Sequence, residues 1–149
     1  MKIGAAILAG LIAPAWAELA VSGNDGKQPQ LGDNPHDVVP DTLSVIDLGS
    51  YPPRLRGQVE VPYSMIGEPT SVAVAHDGGF ALVTASQKYD TVDVNKVVPD
   101  DKLSVVDLAD PDHPKVIQTL SAGQGPSGVS INRDDTLAVV ANVWDGTVA

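Results

Sequence analysis

Three histidines, His36, His76 and His113, carry the side chain best suited to proton transfer and metal ligation near neutral pH. Two of them have a pair of carboxylates close by. His36 lies between Asp33 and Asp37, and His113 follows Asp110 and Asp112, so either group could hold a cation through oxygen and nitrogen ligands. Both groups also sit in Pro-containing stretches, where Asp is expected because its side chain hydrogen-bonds its own backbone in turns. A calcium site needs about six or more oxygens held together, which neither segment offers. The three histidines fall in three different connections and do not converge on one metal. Arg54 and Arg56 could pair with an anionic ligand, but surface salt links are the expected use on so acidic a chain. Trp144 could stack on a planar ligand or pack on a neighbouring loop. No Ser-His-Asp set, no carboxylate pair in distinct environments, no Walker loop and no dinucleotide fingerprint can be assembled, so no catalytic residue is assigned.

Cysteine is absent from all 149 residues. That removes a lipoprotein anchor, a c-type haem attachment, thiolate zinc sites and disulfides, and no cofactor is evident. Hydrophobic residues make up 43% but aromatics only 4%, so the core must be built of Val, Leu, Ile and Ala. The formal charge is -10, and the only charge in the first 17 residues is Lys2. Such a surface repels phosphate backbones and anionic lipids, which excludes nucleic-acid binding. Most of the acids are Asp rather than Glu, as a chain made of turns requires.

The N-terminus reads as a signal peptide over residues 1–17. Lys2 supplies a thin basic region, residues 3–13 an apolar run, and Ala15-Trp16-Ala17 a small-x-small cleavage site before Glu18. The run is shorter than the roughly 20 residues a spanning helix needs. The expected product is periplasmic or extracellular, begins at Glu18 and has no stable membrane anchor once the leader is removed.

Comparing the chain with itself reveals a duplication. Val38-Val39-Pro40-Asp41-Thr42-Leu43-Ser44-Val45-Ile46-Asp47-Leu48 returns as Val97-Val98-Pro99-Asp100-Asp101-Lys102-Leu103-Ser104-Val105-Val106-Asp107-Leu108, with one inserted Asp. A second block, Gly67-Glu68-Pro69-Thr70-Ser71-Val72-Ala73-Val74 running on to Val83, returns as Gln124-Gly125-Pro126-Ser127-Gly128-Val129-Ser130-Ile131 running on to Val140. The offsets, 60 residues from Leu43 to Leu103 and 57 from Pro69 to Pro126, mark duplicated supersecondary units over residues 38–96 and 97–149. Partial copies lie at both ends: Leu19-Ala20-Val21 echoes Leu137-Ala138-Val139, and Gly146-Thr147-Val148-Ala149 restarts the Thr-Leu-Ser-Val segment.

Each unit reads as four short strands, placed at residues 71–75, 80–85, 103–108 and 115–120, with Asp77-Gly78 as the hairpin between the first two. The third strand is apolar on both faces, Leu43 and Val45 on one and Ile46 and Leu48 on the other, so its sheet must be covered on both sides. Four-stranded sheets arranged radially, each sandwiched by the next, satisfy that demand. Asp47 and Asp107 recur at one position, which argues that they hold the following turn.

These segments resemble the YVTN family of β-propeller repeats. The resemblance is carried by Gly67-Glu68-Pro69-Thr70-Ser71-Val72-Ala73-Val74, Asp77-Gly78, Leu82-Val83-Thr84-Ala85 with Val139-Val140-Ala141-Asn142, and Leu43-Ser44-Val45-Ile46-Asp47 with Leu103-Ser104-Val105-Val106-Asp107. The signature tyrosine is Leu or Val here, and the loops between second and third strands are longer than a compact repeat allows. The resemblance implies an all-β fold, a β-propeller of four-stranded antiparallel blades, with about two and a half of some seven blades present at the N-terminal end. It implies no reaction. Propellers of this kind are similar to lactonase-like hydrolases, to heavy subunits of quinone-dependent amine dehydrogenases, to the haem-d1 domain of nitrite reductase and to exported proteins with no known substrate, and fold alone cannot choose.

In such a blade the fourth-to-first-strand turns and the second-to-third-strand loops, here the long loops over residues 28–37 and 86–96, share one rim, where long loops build binding surfaces. The candidate ligand-face residues are Asp33, His36, Asp37, Glu68, Gln87, Lys88, Tyr89, Gln124 and Trp144. The expected function is an exported binding module for a small molecule or protein partner, with the N-terminal part of a lactonase-like or quinone-linked propeller enzyme as the alternative.

Overall fold

The computed structural model describes residues 18–27, 39–65, 69–93 and 95–149. Among them there is no helix, and ten strands follow one another: β1 (Leu19–Asn24), β2 (Thr42–Asp47), β3 (Arg54–Glu60), β4 (Val72–Val74), β5 (Phe80–Tyr89), β6 (Val97–Asp107), β7 (Lys115–Ser121), β8 (Pro126–Ile131), β9 (Ala138–Asn142) and β10 (Thr147–Val148). They form three antiparallel meanders, β1-β2-β3, β4-β5-β6-β7 and β8-β9-β10. None of the three closes on itself among the described residues. The proposed signal peptide lies outside the described residues.

The duplication seen in sequence is a duplication of register. Ala20 pairs with Ile46 in the first sheet as Ala81 pairs with Val106 in the second. The β2–β3 ladder shifts between Val45 and Ile46, and the β6–β7 ladder shifts at the matching step between Val105 and Val106. A bulge inserts one residue and bends the strand, so its recurrence gives both sheets the same local bend. After each of these strands the Asp closes the turn as expected. Asp47 accepts from the Gly49 N–H at 2.8 Å and Asp107 from the Ala109 N–H at 2.9 Å.

Alternation along the strands decides how the sheets stack. Leu43 and Val45 of the first sheet pack against Ala81, Val83, Val106 and Leu108 of the second, all buried, with Val61 completing this cluster. The second sheet turns its other face, Leu82 and Leu103 with Phe80 and Val105, to Val129, Val140 and Ala138 of the third. The first and second sheets thus each turn a forward face to the backward face of the next. The β4–β5–β6–β7 sheet is apolar on both sides because it is covered on both sides.

Small residues let the sheets close on each other. The Val129 N–H donates to the Thr70 carbonyl at 3.0 Å, and the Ser71 hydroxyl donates to the Ser127 carbonyl, joining the neighbourhoods of β4 and β8 directly. At the far edge of the first interface a Cβ on Gly57 would lie 2.5 Å from the Pro111 carbonyl oxygen, so only glycine admits the β6–β7 turn there.

One expectation is corrected. Residues 86–96 are not a long loop. β5 runs on to Tyr89 and β6 begins at Val97, so the two continue as a hairpin arm closed by a bond from the Asp90 N–H to the Lys96 carbonyl at 2.8 Å. The ladder is broken between Ala85 and Gln87, and past that break Pro99 sits opposite Gln87. Proline has no N–H to give the ladder. The Gln87 carbonyl accepts from Met65 instead.

Candidate functional site

The residues singled out by sequence fall into three groups. Asp33, His36, Asp37 and Glu68 lie outside the described residues. Gln87, Lys88 and Tyr89 line the rising strand of the β5–β6 arm, half-buried. Gln124 lies in the β7–β8 turn and Trp144 in the β9–β10 turn.

Backbone bonds draw these connections to one end of the stack. The Gly125 N–H donates to the Asp100 carbonyl at 2.8 Å, the Val143 N–H to the Gly125 carbonyl at 2.9 Å, and the Trp144 N–H to the Gln124 carbonyl at 3.2 Å. Between them opens a cleft of about 520 Å³ lined by Lys88, Asp100, Asp101, Ser121, Gln124 and Asp145, with Pro99 and Gly123. Lys88 and Gln124 are therefore brought together, whereas Gln87 and Tyr89 lie on the arm outside this lining. Trp144, half exposed, covers the turn beside the cleft so closely that a Cβ on Gly125 would meet its ring at 2.0 Å.

The cleft is wired by charge. Lys88 Nζ donates to Asp100 at 2.9 Å, and Lys102 Nζ donates to Asp101 at 2.6 Å, while the Ser121 hydroxyl donates to the other Asp101 oxygen at 2.7 Å. Asp145 accepts from the Thr147 hydroxyl at 2.6 Å and from the Gln124 N–H at 3.0 Å. The Lys102 bond, seconded by Ser121, holds the Asp101 carboxyl below the ordinary carboxylate range, and Asp101 in turn raises Lys102. The Thr147 hydroxyl does the same for Asp145. Hydrogen bonds to a carboxylate favour its charged form. Groups pushed away from neutrality in this way are poor proton shuttles, since an effective acid or base needs a pKa near the working pH. They are suited to holding a cationic or hydrogen-bond-donating group.

Sequence reasoning did not single out Asp100, Asp101, Ser121 or Asp145. One signal was present. The second copy carries an Asp that the first lacks, Asp101, where Pro40-Asp41-Thr42-Leu43 becomes Pro99-Asp100-Asp101-Lys102-Leu103. A second signal concerns Lys88. Lys27 binds Asp41 in the first sheet at the place where Lys88 binds Asp100 in the second, and Asp41 also accepts the Gly26 and Tyr63 N–H groups at 3.0 Å. A pair present in both copies ties the base of the arm.

At the opposite end of the stack the side chains are used for structure. Arg56 donates to Asp112 in a fork, Nε to Oδ1 at 2.6 Å and Nη2 to Oδ2 at 2.7 Å, joining β3 to the β6–β7 turn. That bond holds the Asp112 carboxyl down and raises Arg56. His113 Nδ1 lies 2.9 Å from Asp110, which also accepts the Asp112 N–H. Asp135, in the β8–β9 hairpin, takes the N–H groups of His76 and Asp77 at 2.9 and 3.2 Å and so links neighbouring hairpins. Among the described residues, no three or more His, Asp or Glu side chains are grouped to hold a metal ion. No family model, no curated protein and no solved structure matches this chain.

Proposed function

We propose that the three stacked sheets are consecutive blades of an exported, YVTN-like β-propeller, and that the chain is a binding module of the periplasm or extracellular space. In this reading the rim that carries the β5–β6 arm receives the partner. The repeated sheet with two covered faces supports the propeller part, and the leader-like residues 1–17 support export. The observation that carries the binding part is the cleft at Lys88, Asp101, Gln124 and Asp145, whose carboxylates are pinned in their charged form beside an exposed tryptophan. Ionised carboxylates next to an indole face fit a partner that presents a cationic group, either a small amine or a basic side chain of a protein.

Production with its own leader in a bacterial host tests both parts. The chain is recovered from the periplasm starting at Glu18, which leaves Trp144 as the one tryptophan of the two in the sequence. Titration with spermine as the cationic probe then shifts the Trp144 emission, and the response weakens as salt rises. Asp101→Asn with Asp145→Asn weakens binding by about tenfold or more, the loss of one or two charge-assisted hydrogen bonds. Retention in the cytoplasm refutes export, and an emission that ignores spermine, or a titration unchanged in the double variant, refutes the binding site.

A further inference from the structure

Lys88 differs from its counterpart in the first sheet in what its ammonium is given to hold. Lys27 Nζ donates to Asp41 and, at 2.6 Å, to the Tyr63 carbonyl, with the Asp25 carboxylate 3.7 Å away, and its side chain is 15% exposed. Lys88 Nζ keeps a single partner, Asp100 at 2.9 Å, and its side chain is 44% exposed. An ammonium has three protons to donate. Two of those on Lys88 have no acceptor among the described residues.

The register shows where the other acceptors went. Ala20 pairs with Ile46 as Ala81 pairs with Val106, so Lys27 corresponds to Lys88 and Asp25 to Ser86, which carries no charge. Leu43 pairs with Val59 as Leu103 pairs with Leu120, so Tyr63 corresponds to Gln124. The Gln124 carbonyl is occupied, because it accepts the Trp144 N–H at 3.2 Å. The second copy has therefore lost both extra acceptors at the place where the cleft of about 520 Å³ opens, and Lys88 lines that cleft. Asp101 and Asp145 line it too. An ionised carboxylate offers about four lone-pair sites. Asp101 accepts from Lys102 and Ser121, and Asp145 accepts twice from Thr147 and once from Gln124, which leaves room on each for a further donor.

A partner that is only cationic meets Lys88 as a like charge, which costs affinity. One that carries a carboxylate beside its ammonium finds a donor there instead. We propose that the cleft takes a small zwitterion of the amino-acid class, its ammonium held by Asp101 and Asp145 and its carboxylate by Lys88. The cleft lies within the range of about 300–1,000 Å³ usual for small-ligand sites. This inference rests on the reading of the cleft as the binding site and narrows its partner to a small molecule bearing both charges.

Isothermal titration calorimetry on the purified full chain tests it with L-lysine and cadaverine, the same diamine with and without the carboxylate. Attraction to the acids alone favours cadaverine, which has the higher positive charge. The proposal requires the reverse: L-lysine binds about tenfold or more tightly, the worth of one charge-assisted hydrogen bond. Lys88→Gln removes the charge and keeps a donor for Asp100. In that variant L-lysine weakens by about tenfold or more, whereas cadaverine, relieved of a like charge, binds more tightly. Lys88→Gln with Asp100→Asn, a neutral pair, replaces the single variant should urea unfolding show that it does not fold. Cadaverine bound as tightly as L-lysine by the unmodified chain overturns the proposal and leaves a plain cation site. So does a preference for L-lysine that survives the loss of Lys88, and so does a parallel loss of both ligands in a folded variant. If spermine, cadaverine and L-lysine all fail to bind, the cleft reading itself falls and this proposal falls with it.

Discussion

Leu48 and Leu108 offer a controlled measurement of what a covering sheet contributes. Both follow the turn-closing Asp, and both donate their backbone N–H to the preceding strand region, Leu48 to Glu18 at 2.7 Å and Leu108 to Gly79 at 2.9 Å. Both project on the backward face. They differ in what lies beyond: Leu108 is 7% exposed against the first sheet, while Leu48, with no sheet behind it among the described residues, is 47% exposed. Truncating Leu108 to Ala removes buried methyl groups and leaves a cavity between two sheets, a loss of about 3 kcal/mol. Truncating Leu48 forfeits about half the transfer energy and opens no cavity, about 1 kcal/mol. The two single variants should differ by about 2 kcal/mol in urea unfolding, with the slope against urea unchanged. The melting temperature follows at about 4 °C per kcal/mol for a domain of this size. Equal losses, or a larger loss at Leu48, would refute the claim that the first sheet, and not the strand's own propensity, makes Leu108 a core residue.

Two further outcomes follow from the turns. Asp112, Asp135 and Asp145 are held below the ordinary carboxylate value of 3.8, by the Arg56 fork, the His76 N–H and the Thr147 hydroxyl respectively. A carboxyl whose pKa is lower in the folded than in the unfolded chain gives stability that is full above the unfolded value and lost as pH falls through the folded one, so melting should hold steady down to about pH 5 and drop below about pH 4. Asp112→Asn flattens part of that drop, and a melting temperature constant to about pH 3 contradicts the assignment. The left-handed glycines separate strain from crowding: Gly78, with φ of 74° and nothing within 4 Å of an added Cβ, should lose only about 1–2 kcal/mol as Ala. Gly125, with φ of 72° and the Trp144 ring in the way, should lose about 2–5 kcal/mol as Ala and red-shift the Trp144 emission, and similar losses at both sites would show that the ring is free to move aside.

The sheets were legible because their demands are local and repeated. Leu43-Ser44-Val45-Ile46-Asp47-Leu48 and its copy alternate apolar groups on both faces, and a strand so built can only be covered on both sides. The left-handed hairpin position was legible at Gly78, and the third sheet places Asp135, with φ of 54°, at the same step. The arm was not legible. Gln87 and Lys88 show no apolar alternation, and Pro99 argues against a strand, yet the ladder break beside Gln87 and the bond from Met65 let the two chains run on together. The cleft was hidden for another reason. Asp100, Asp101 and Asp145 each read as turn residues one at a time, and their convergence depends on which connections of neighbouring sheets meet at the rim, a property of the stack and not of any single segment.

The bond between Lys27 and Asp41, repeated as Lys88 with Asp100, insulates the scaffold from whatever lies past it. In the first copy 13 residues separate the lysine from its aspartate, in the second 11, and the strands below keep the same register in both. A clasp at the neck of each excursion lets that excursion lengthen, shorten or change composition without a message reaching the core. Evolution can thus rewrite the outer tip of either of these two units independently, and a designer could graft new sequence there with the foundations left alone.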